Sequence, residues 1–408
     1  MSDKKINAAS CVFSYITMML IMIALGASDS MRGVFSPVFK DHFLLDAAGF
    51  SHIVTVSYAG NLVFLLFGSR LADKFGLKRV FLCVLLCWIC AVVLYIVTDN
   101  YFVLLCCMFV TMGTSTLMNT FVNLMSPLLF VSSPQLAVNT LFFVQGIGTS
   151  GSQALAGNFA STFRDWKITN CILLGLGIVG FILLLCTKVP RPANELSGKK
   201  AEGKSVFREV LKNRAFLLLV LMFGFYFIAE HGVLNWLVLY CTGEFSFSQG
   251  KASVYLSLFF GGMTVGRLVF APFLKKIGTA RSIKLFGGAG CAVYVVGLVG
   301  AALACFISGN VSVSSVLLFL LSLSGLLISI VYPTMVMFIR SFFDESIIST
   351  ATGTIISVAT LFDISFNMFF GKLADNVGFT YIILILPASM ILFYAVFCRL
   401  YKAACKTA

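Results

Sequence analysis

The sequence predicts an all-α integral membrane protein: twelve transmembrane helices arranged as two six-helix pseudo-repeats. Three observations predict it. The 408 residues are 59% hydrophobic and only 11% charged, with a mean hydropathy of +1.00, where a soluble chain has about 25% charged residues. Such a chain lacks the polar side chains to cover a water-facing surface, which argues against a soluble enzyme, a disordered scaffold and a nucleic-acid binder. Apolar runs of spanning length, about 20 residues each, alternate with short polar breaks, and the second set of runs repeats features of the first.

The first run, residues 11–36, follows Lys4 and Lys5. It is too long for the core of a signal peptide and no small-residue cleavage site closes it, so it reads as an uncleaved first span. Runs 50–70, 79–98, 101–126, 135–161 and 168–187 complete the first set. The one long polar break, Lys188 to Arg214, contains Pro190, Pro192, Gly198, Gly203 and alternating charges, the composition of a linker. Runs 215–242, 249–274, 281–307, 313–339, 346–371 and 378–400 form the second set. The expected domains are a six-helix bundle over 1–188, a cytoplasmic linker over 189–214 and a second bundle over 215–408.

Placing the N-terminus inside puts 22 of the 29 Lys and Arg residues on inner segments. Six lie outside (Arg32, Lys40, Arg164, Lys167, Lys251 and Lys372), and Arg267 falls within span 8. Basic loops stay on the cytoplasmic side, so a multi-pass cell-membrane protein with both termini in the cytoplasm is expected. The net charge of +13 is then an orientation label and no sign of a nucleic-acid partner. Most of the thirteen cysteines lie in apolar runs, without histidines at metal-ligand spacing. They read as small packing residues, and no metal or cofactor is expected.

Span 2 ends Gly68-Ser-Arg-Leu-Ala-Asp73-Lys-Phe-Gly76-Leu-Lys78-Arg79, and span 8 leads into a similar basic turn around Gly278, 202 residues after Gly76. Asp29 of span 1 has Glu230 of span 7 at an offset of 201, and Gly157 of span 5 loosely matches Gly371 of span 11. Such ordered correspondences indicate duplicated halves. In the loop after span 2, Gly68 admits close helix approach, Gly76 a tight turn, and Asp73 can meet cations or a helix N-terminus across the inner face. With Arg79, these read as gating residues. This element resembles the signature loop of the major facilitator superfamily, and helix count, linker and repeat extend the resemblance over the whole chain. It implies the major facilitator fold, with a substrate site between the halves near the membrane midplane.

Charges inside a membrane are costly and mark function or pairing. Asp29, Arg32, Glu230, His231, Arg267 and Asp363 fall within or beside the spans. Asp29 and Arg32 are one turn apart, which leaves Asp29 either paired with Arg32 or free. Glu230 has no basic neighbour within a turn except His231, and a carboxylate so placed can exchange protons. Asp363 is read as meeting the opposite half, and Arg267 as a gating or structural residue near the inner end of its span. Asn119 and Asn123 share a face of span 4, Gln145 lies on a polar stripe of span 5 with Thr149 and Ser152, and Asn235 and Trp236 follow Glu230. Amides satisfy hydroxyl groups and a ring covers the apolar face of a sugar, so Asn119, Asn123, Gln145, Asn235 and Trp236 are the candidate substrate contacts. The alternative for each amide is a hydrogen bond between helices.

The stretch Gly224-Phe-Tyr-Phe-Ile-Ala-Glu230-His-Gly-Val-Leu-Asn-Trp236 resembles span 7 of the fucose permease-like and glucose/galactose transporter-like branch. Gly261-Gly262 through Arg267 resembles its next helix, and Asp29, Gly33 and Pro37 fit its first span. That branch implies sugar:proton symport; where the fucose permease has an acidic residue in span 4, this chain has Asn119. The expectation is a secondary active transporter, no enzyme. It would import a sugar or similar small polar solute with protons by alternating access, as a monomer in the lipid bilayer, with Glu230, Asp29 and Asp363 as proton-coupling groups. The alternative is proton-driven efflux of amphipathic compounds, suggested by 42 Phe and 15 Met.

Overall fold

A computed structural model describes residues 8–129, 134–187, 203–308, 311–344 and 347–407. The first half comprises α1 (Ala8–Val34), α2 (Ser36–Phe43), α3 (Ala47–Phe75), α4 (Leu77–Val97), α5 (Tyr101–Leu129), α6 (Pro134–Gly157) and α7 (Phe163–Cys186). The second comprises α9 (Phe216–Glu244), α10 (Gln249–Ile277), α11 (Thr279–Ser282), α12 (Gly288–Ser308), α13 (Val311–Ile328), α14 (Val331–Phe338), α15 (Ile348–Val377), α16 (Phe379–Ile382) and α17 (Ile385–Thr407). Between them α8 (Gly203–Lys212) falls inside the expected linker and packs on α9 and α15. Eleven spans among the described residues are long and apolar enough to cross a membrane. The twelfth, α6, has 24 residues, enough to span at about 1.5 Å per residue, but carries the polar stripe of span 5. Each predicted run therefore corresponds to a helix, and the described ends of the chain share one face, here the terminal face; the other is the distal face.

Several breaks follow from local chemistry. Pro37 has no N–H for the carbonyl of Gly33; Ser36 Oγ donates to it instead at 2.7 Å, and α1 bends into α2. The first apolar span ends at Val34, close to the expected residue 36, and Arg32 is 1% exposed, buried between helices and not among the outer basic residues. α7 starts with a capping box of Thr162 and Asp165. Asn100 Oδ1 receives the first free N–H groups of α5, from Phe102 at 2.9 Å and Val103 at 3.3 Å.

In the first half α1 packs on α6 and α7, α3 on α5, and α4 on α5 and α7; in the second α12 packs on α13 and α17, α10 on α13, and α9 on α15 and α17. The halves meet along α3 with α15, α6 with α10, and α1 with α9. Small residues make these crossings possible. A Cβ at Gly33 would overlap the carbonyl oxygen of Leu234, one at Gly371 the carbonyl oxygen of Ala47, and ones at Gly146 and Gly157 the side chains of Thr264 and Ser253. Gln249 Nε2 also donates to the carbonyl of Val34 across the halves at 2.7 Å. These contacts run from the distal face to the middle of the spans. Gly33→Ala is expected to force α1 off α9 and lower stability by about 1–3 kcal/mol, the usual cost of overpacking, read as a lower melting temperature of the purified protein.

Candidate functional site

A continuous polar layer crosses the middle of the molecule. It begins at Arg32 on α1, which is 1% exposed. Its Nε and Nη2 both donate to Asn235 Oδ1 on α9, at 3.0 and 2.8 Å, and its guanidinium carbon stands 4.9 Å from the centre of the Tyr58 ring on α3. Asn235 Nδ2 donates to Tyr58 Oη at 3.1 Å. The guanidinium has only donors, so it dictates which end of the amide faces it, and the other end must take Tyr58. Gly33, by admitting the Leu234 carbonyl, brings Arg32 and Asn235 within reach.

His231 lies one turn before Asn235 on α9. Its Nδ1 is 2.5 Å from Asp363 Oδ2 on α15, and its ring is stacked between Tyr58, at 5.2 Å, and Phe227, at 5.3 Å. Asp363 is 1% exposed. Its other oxygen accepts from Asn367 Nδ2 at 3.1 Å, while Asn367 Oδ1 accepts from Trp236 Nε1 at 2.9 Å. The expectation that Asp363 meets the opposite half is corrected: its partners belong to α9 and α15 of its own half, because His231 and Asn367 are each within reach on the shared α9–α15 face. The stack on Tyr58 is what carries this pair to the other half.

Asp29 Oδ2 accepts from Ser115 Oγ on α5 at 2.7 Å, and its Oδ1 is buried without a partner. Among the described residues the ion pairs within 4.0 Å are Lys167–Asp99, His42–Asp99 and His231–Asp363. Arg32 is thus held by Asn235, not by an ion pair with Asp29, although its Nη1 is also buried without a partner. Glu230 is half-buried and makes no ion pair among the described residues; Tyr226 and Tyr332 lie near both Glu230 and Arg267. Arg267 Nε points at the carbonyl of Ser329 at 3.4 Å, in the break between α13 and α14.

On the first-half side, Gln145 Nε2 donates to Asn119 Oδ1 at 3.1 Å, joining α6 to α5. Asn119 lies one turn from Ser115, the hydrogen-bond partner of Asp29. Thr149 Oγ1 donates to the carbonyl of Gly26 on α1 at 3.1 Å. Asn119 and Gln145 are half-buried, whereas Asn235 and Trp236 are 0% exposed and fully engaged in the network. Gly76 sits in the turn after α3 with φ +87° and Arg79 is exposed. Asn123, Asp73 and Gly68 lie outside the residues whose surroundings are described. Sequence reasoning missed Tyr58, Ser115 and Asn367; the spacing of Asp363 and Asn367, one turn apart in an apolar span, was the available signal for the last.

Two recesses lie away from this layer. One of about 470 Å³ between α6, α10 and α13 is lined largely by apolar side chains such as Leu258, Val265 and Leu323, and these are exposed on the outer surface. The other, about 790 Å³, lies on the terminal face among Thr279, Met337, Arg340 and Thr352. Neither is lined by the charged residues of the layer, so the geometry of the polar layer, not the size of a recess, locates the chemistry.

The sequence profile described as Major Facilitator Superfamily matches residues 18–355. The chain belongs to the Major Facilitator Superfamily. No curated protein matches its sequence. The fold is similar to that of the nucleoside transporter NupG, with a TM-score of 0.73 at 14% identity, covering 96% of this chain and 99% of that one. A D-xylose-proton symporter aligns with a TM-score of 0.74 at 12% identity, over 95% and 97% of the two chains. A bacterial homologue of the human lysosomal transporter Spinster, in an inward-facing and unoccupied conformation, aligns with a TM-score of 0.69 at 13% identity, over 100% and 98%. This member of the superfamily is a transporter of small molecules and not an enzyme.

Removing the acceptor from a buried guanidinium is costly. Asn235→Leu is expected to destabilise the protein by about 2–4 kcal/mol, while Arg32→Met combined with Asn235→Leu recovers much of that loss. Thermal unfolding of the two single variants and the double variant measures the coupling.

Proposed function

We propose that the protein is a secondary transporter that imports a small, uncharged, polyhydroxylated solute, of the sugar or nucleoside kind, together with protons. The observation that carries this reading is that Asp29 and Glu230, two carboxylates that make no ion pair among the described residues, stand in one layer with the half-buried Asn119–Gln145 amides. Amides serve hydroxyl groups, and unpaired carboxylates within a membrane exchange protons. Asn119, Gln145 and Thr149 are the groups assigned to the solute. Asn235 and Trp236 are assigned to the seal over it, since both are buried in contacts between helices. With the termini in the cytoplasm, as the basic residues suggest, the sealed distal face is the outer one.

Arg32 links proton to gate. While the distal face is shut, its partner is Asn235 of the other half. When the halves part there, Asn235 withdraws, and the nearest alternative acceptor is Asp29, one turn back with a free oxygen. Ionised Asp29 therefore favours the distal-open state by holding Arg32. A proton on Asp29 releases Arg32 to Asn235 and favours closure. The sign suits import: a proton taken from outside closes the outer face behind the solute. Glu230, beside the His231–Asp363 pair, is the second coupling group, and Asp363 takes part through His231.

Proteoliposome uptake of labelled pentoses, hexoses and nucleosides under an inside-alkaline gradient tests the reading. Glu230→Gln and Asp29→Asn are each expected to cut gradient-driven uptake by about tenfold or more, the size of a typical coupling between two ligands, while solute exchange at equal pH persists. An undiminished rate in Glu230→Gln removes that residue from coupling. No uptake across the panel, with dye expelled along the gradient, would establish the efflux reading instead.

A further inference from the structure

Besides its counterpart at Gly278, the turn after α3 recurs once more in the chain. Leu71-Ala72-Asp73-Lys74-Phe75-Gly76 recurs as Leu373-Ala374-Asp375-Asn376-Val377-Gly378 at the end of α15. In both, the glycine has a positive φ, +87° and +99°, and the next helix begins at the following residue. α3 runs towards the terminal face and α15 towards the distal face, so the copies stand on opposite sides of the membrane.

The distal copy is engaged with the other half. Asp375 Oδ1 accepts from the N–H of Ala47 at 3.0 Å, and its Oδ2 from the N–H of Ala48 at 2.8 Å. These are the first residues of α3, where N–H groups lack partners within the helix and the helix dipole is positive. α3 does not depend on Asp375 for a cap, because Asp46 Oδ1 already accepts from the N–H of Gly49 at 2.6 Å. The Asp375 bonds are thus additional, charge-assisted, and made only across the halves. Gly371, one turn earlier, lies so close to the Ala47 carbonyl that any side chain would overlap it, which sets the carboxylate over the end of α3. Beside it, Thr380 at the start of α16 donates to Glu244 at the end of α9, so the α15–α16 corner is anchored within its own half and moves with it.

We propose that Asp375 is a gating residue: its carboxylate fastens the second half to the N-terminus of α3 and holds the distal face shut, and each transport cycle breaks and remakes this bond. The proposal rests on the transport reading only in requiring the halves to part at the distal face. A carboxylate at a helix N-terminus with two charge-assisted bonds biases such an equilibrium by about tenfold.

Hydrogen–deuterium exchange of the purified full-length protein tests it. Residues 33–38 and 249–253 seal the distal face elsewhere, where Gln249 meets Val34, and among the described residues the bonds of Asp375 and Asp46 go to Ala47, Ala48 and Gly49 instead. Asp375→Ala is expected to speed exchange there about tenfold, with a smaller effect in Asp375→Asn, which keeps one acceptor. Asp46→Ala, which removes a cap within α3 but no bond between halves, is expected to leave those segments unchanged. Unchanged exchange in both Asp375 variants, or an equal rise in Asp46→Ala, overturns the proposal, the second by showing a mere helix cap. Transport measured alongside separates the two readings: faster exchange in a protein that carries none of the tested solutes sinks the solute assignment and leaves the gate standing.

Discussion

The buried guanidinium of Arg32 constrains the rest of the site. A charge held within the membrane must have acceptors, and the first half supplies none that engages it in this state. Asn235, on the second half, is the only side chain that accepts from it among the described residues, and Gly33 is what lets the two helices come close enough. From that bond the orientation of the Asn235 amide follows, then the position of Tyr58, then the stacking of His231 on Tyr58, and through His231 the placement of Asp363. A contact between halves and a chain of titratable groups are therefore one structure. Parting the halves at this level changes the surroundings of the whole chain at once, which is what the proposed coupling of a gate to a proton requires.

The carboxylates of the layer are unequal for the same reason. Asp363 has both oxygens engaged, by His231 and Asn367. Asp29 has one oxygen held by Ser115 and one without a partner, while Glu230 is half-buried and makes no ion pair among the described residues. A fully bonded carboxylate transmits a change in its neighbour; one with a vacant oxygen can accept a new partner. Identical residue types in an apolar helix thus take different roles according to how many donors the facing helices offer.

This distinction marks how far the sequence could be read. Helix positions and the two six-helix sets follow from long apolar runs and one long polar break, because a membrane span is a local property of some twenty residues. Arg32 read both as an outer basic residue and as an ionisable residue within or beside the first span; the packed bundle buries it between the halves. The ionisable residues could be singled out by their rarity, but their partners could not: Arg32 and Asn235 are 203 residues apart, and His231 and Asp363 are 132 apart. No periodicity encodes such pairs; only the packed bundle does. The same limit explains why Asn235 and Trp236 read as solute contacts. A polar group in a span signals a partner, and sequence alone does not say whether that partner is a solute or the facing helix.

The aromatic and methionine content, which suggested an adaptable apolar cavity, has a different location in the fold. Phe102, Phe159, Phe306 and Phe369 are exposed on the outer surface, whereas Met22, Met118, Met125, Met222 and Met390 are 0% exposed within the bundles. The first set meets what surrounds the protein, which for a membrane chain is lipid. The second fills gaps between helices, the ordinary use of a flexible side chain in a core. Around the polar layer aromatic rings stack on His231 and lie against Arg32 and Trp236. Rings used in this way hold charged and hydrogen-bonding groups in fixed positions.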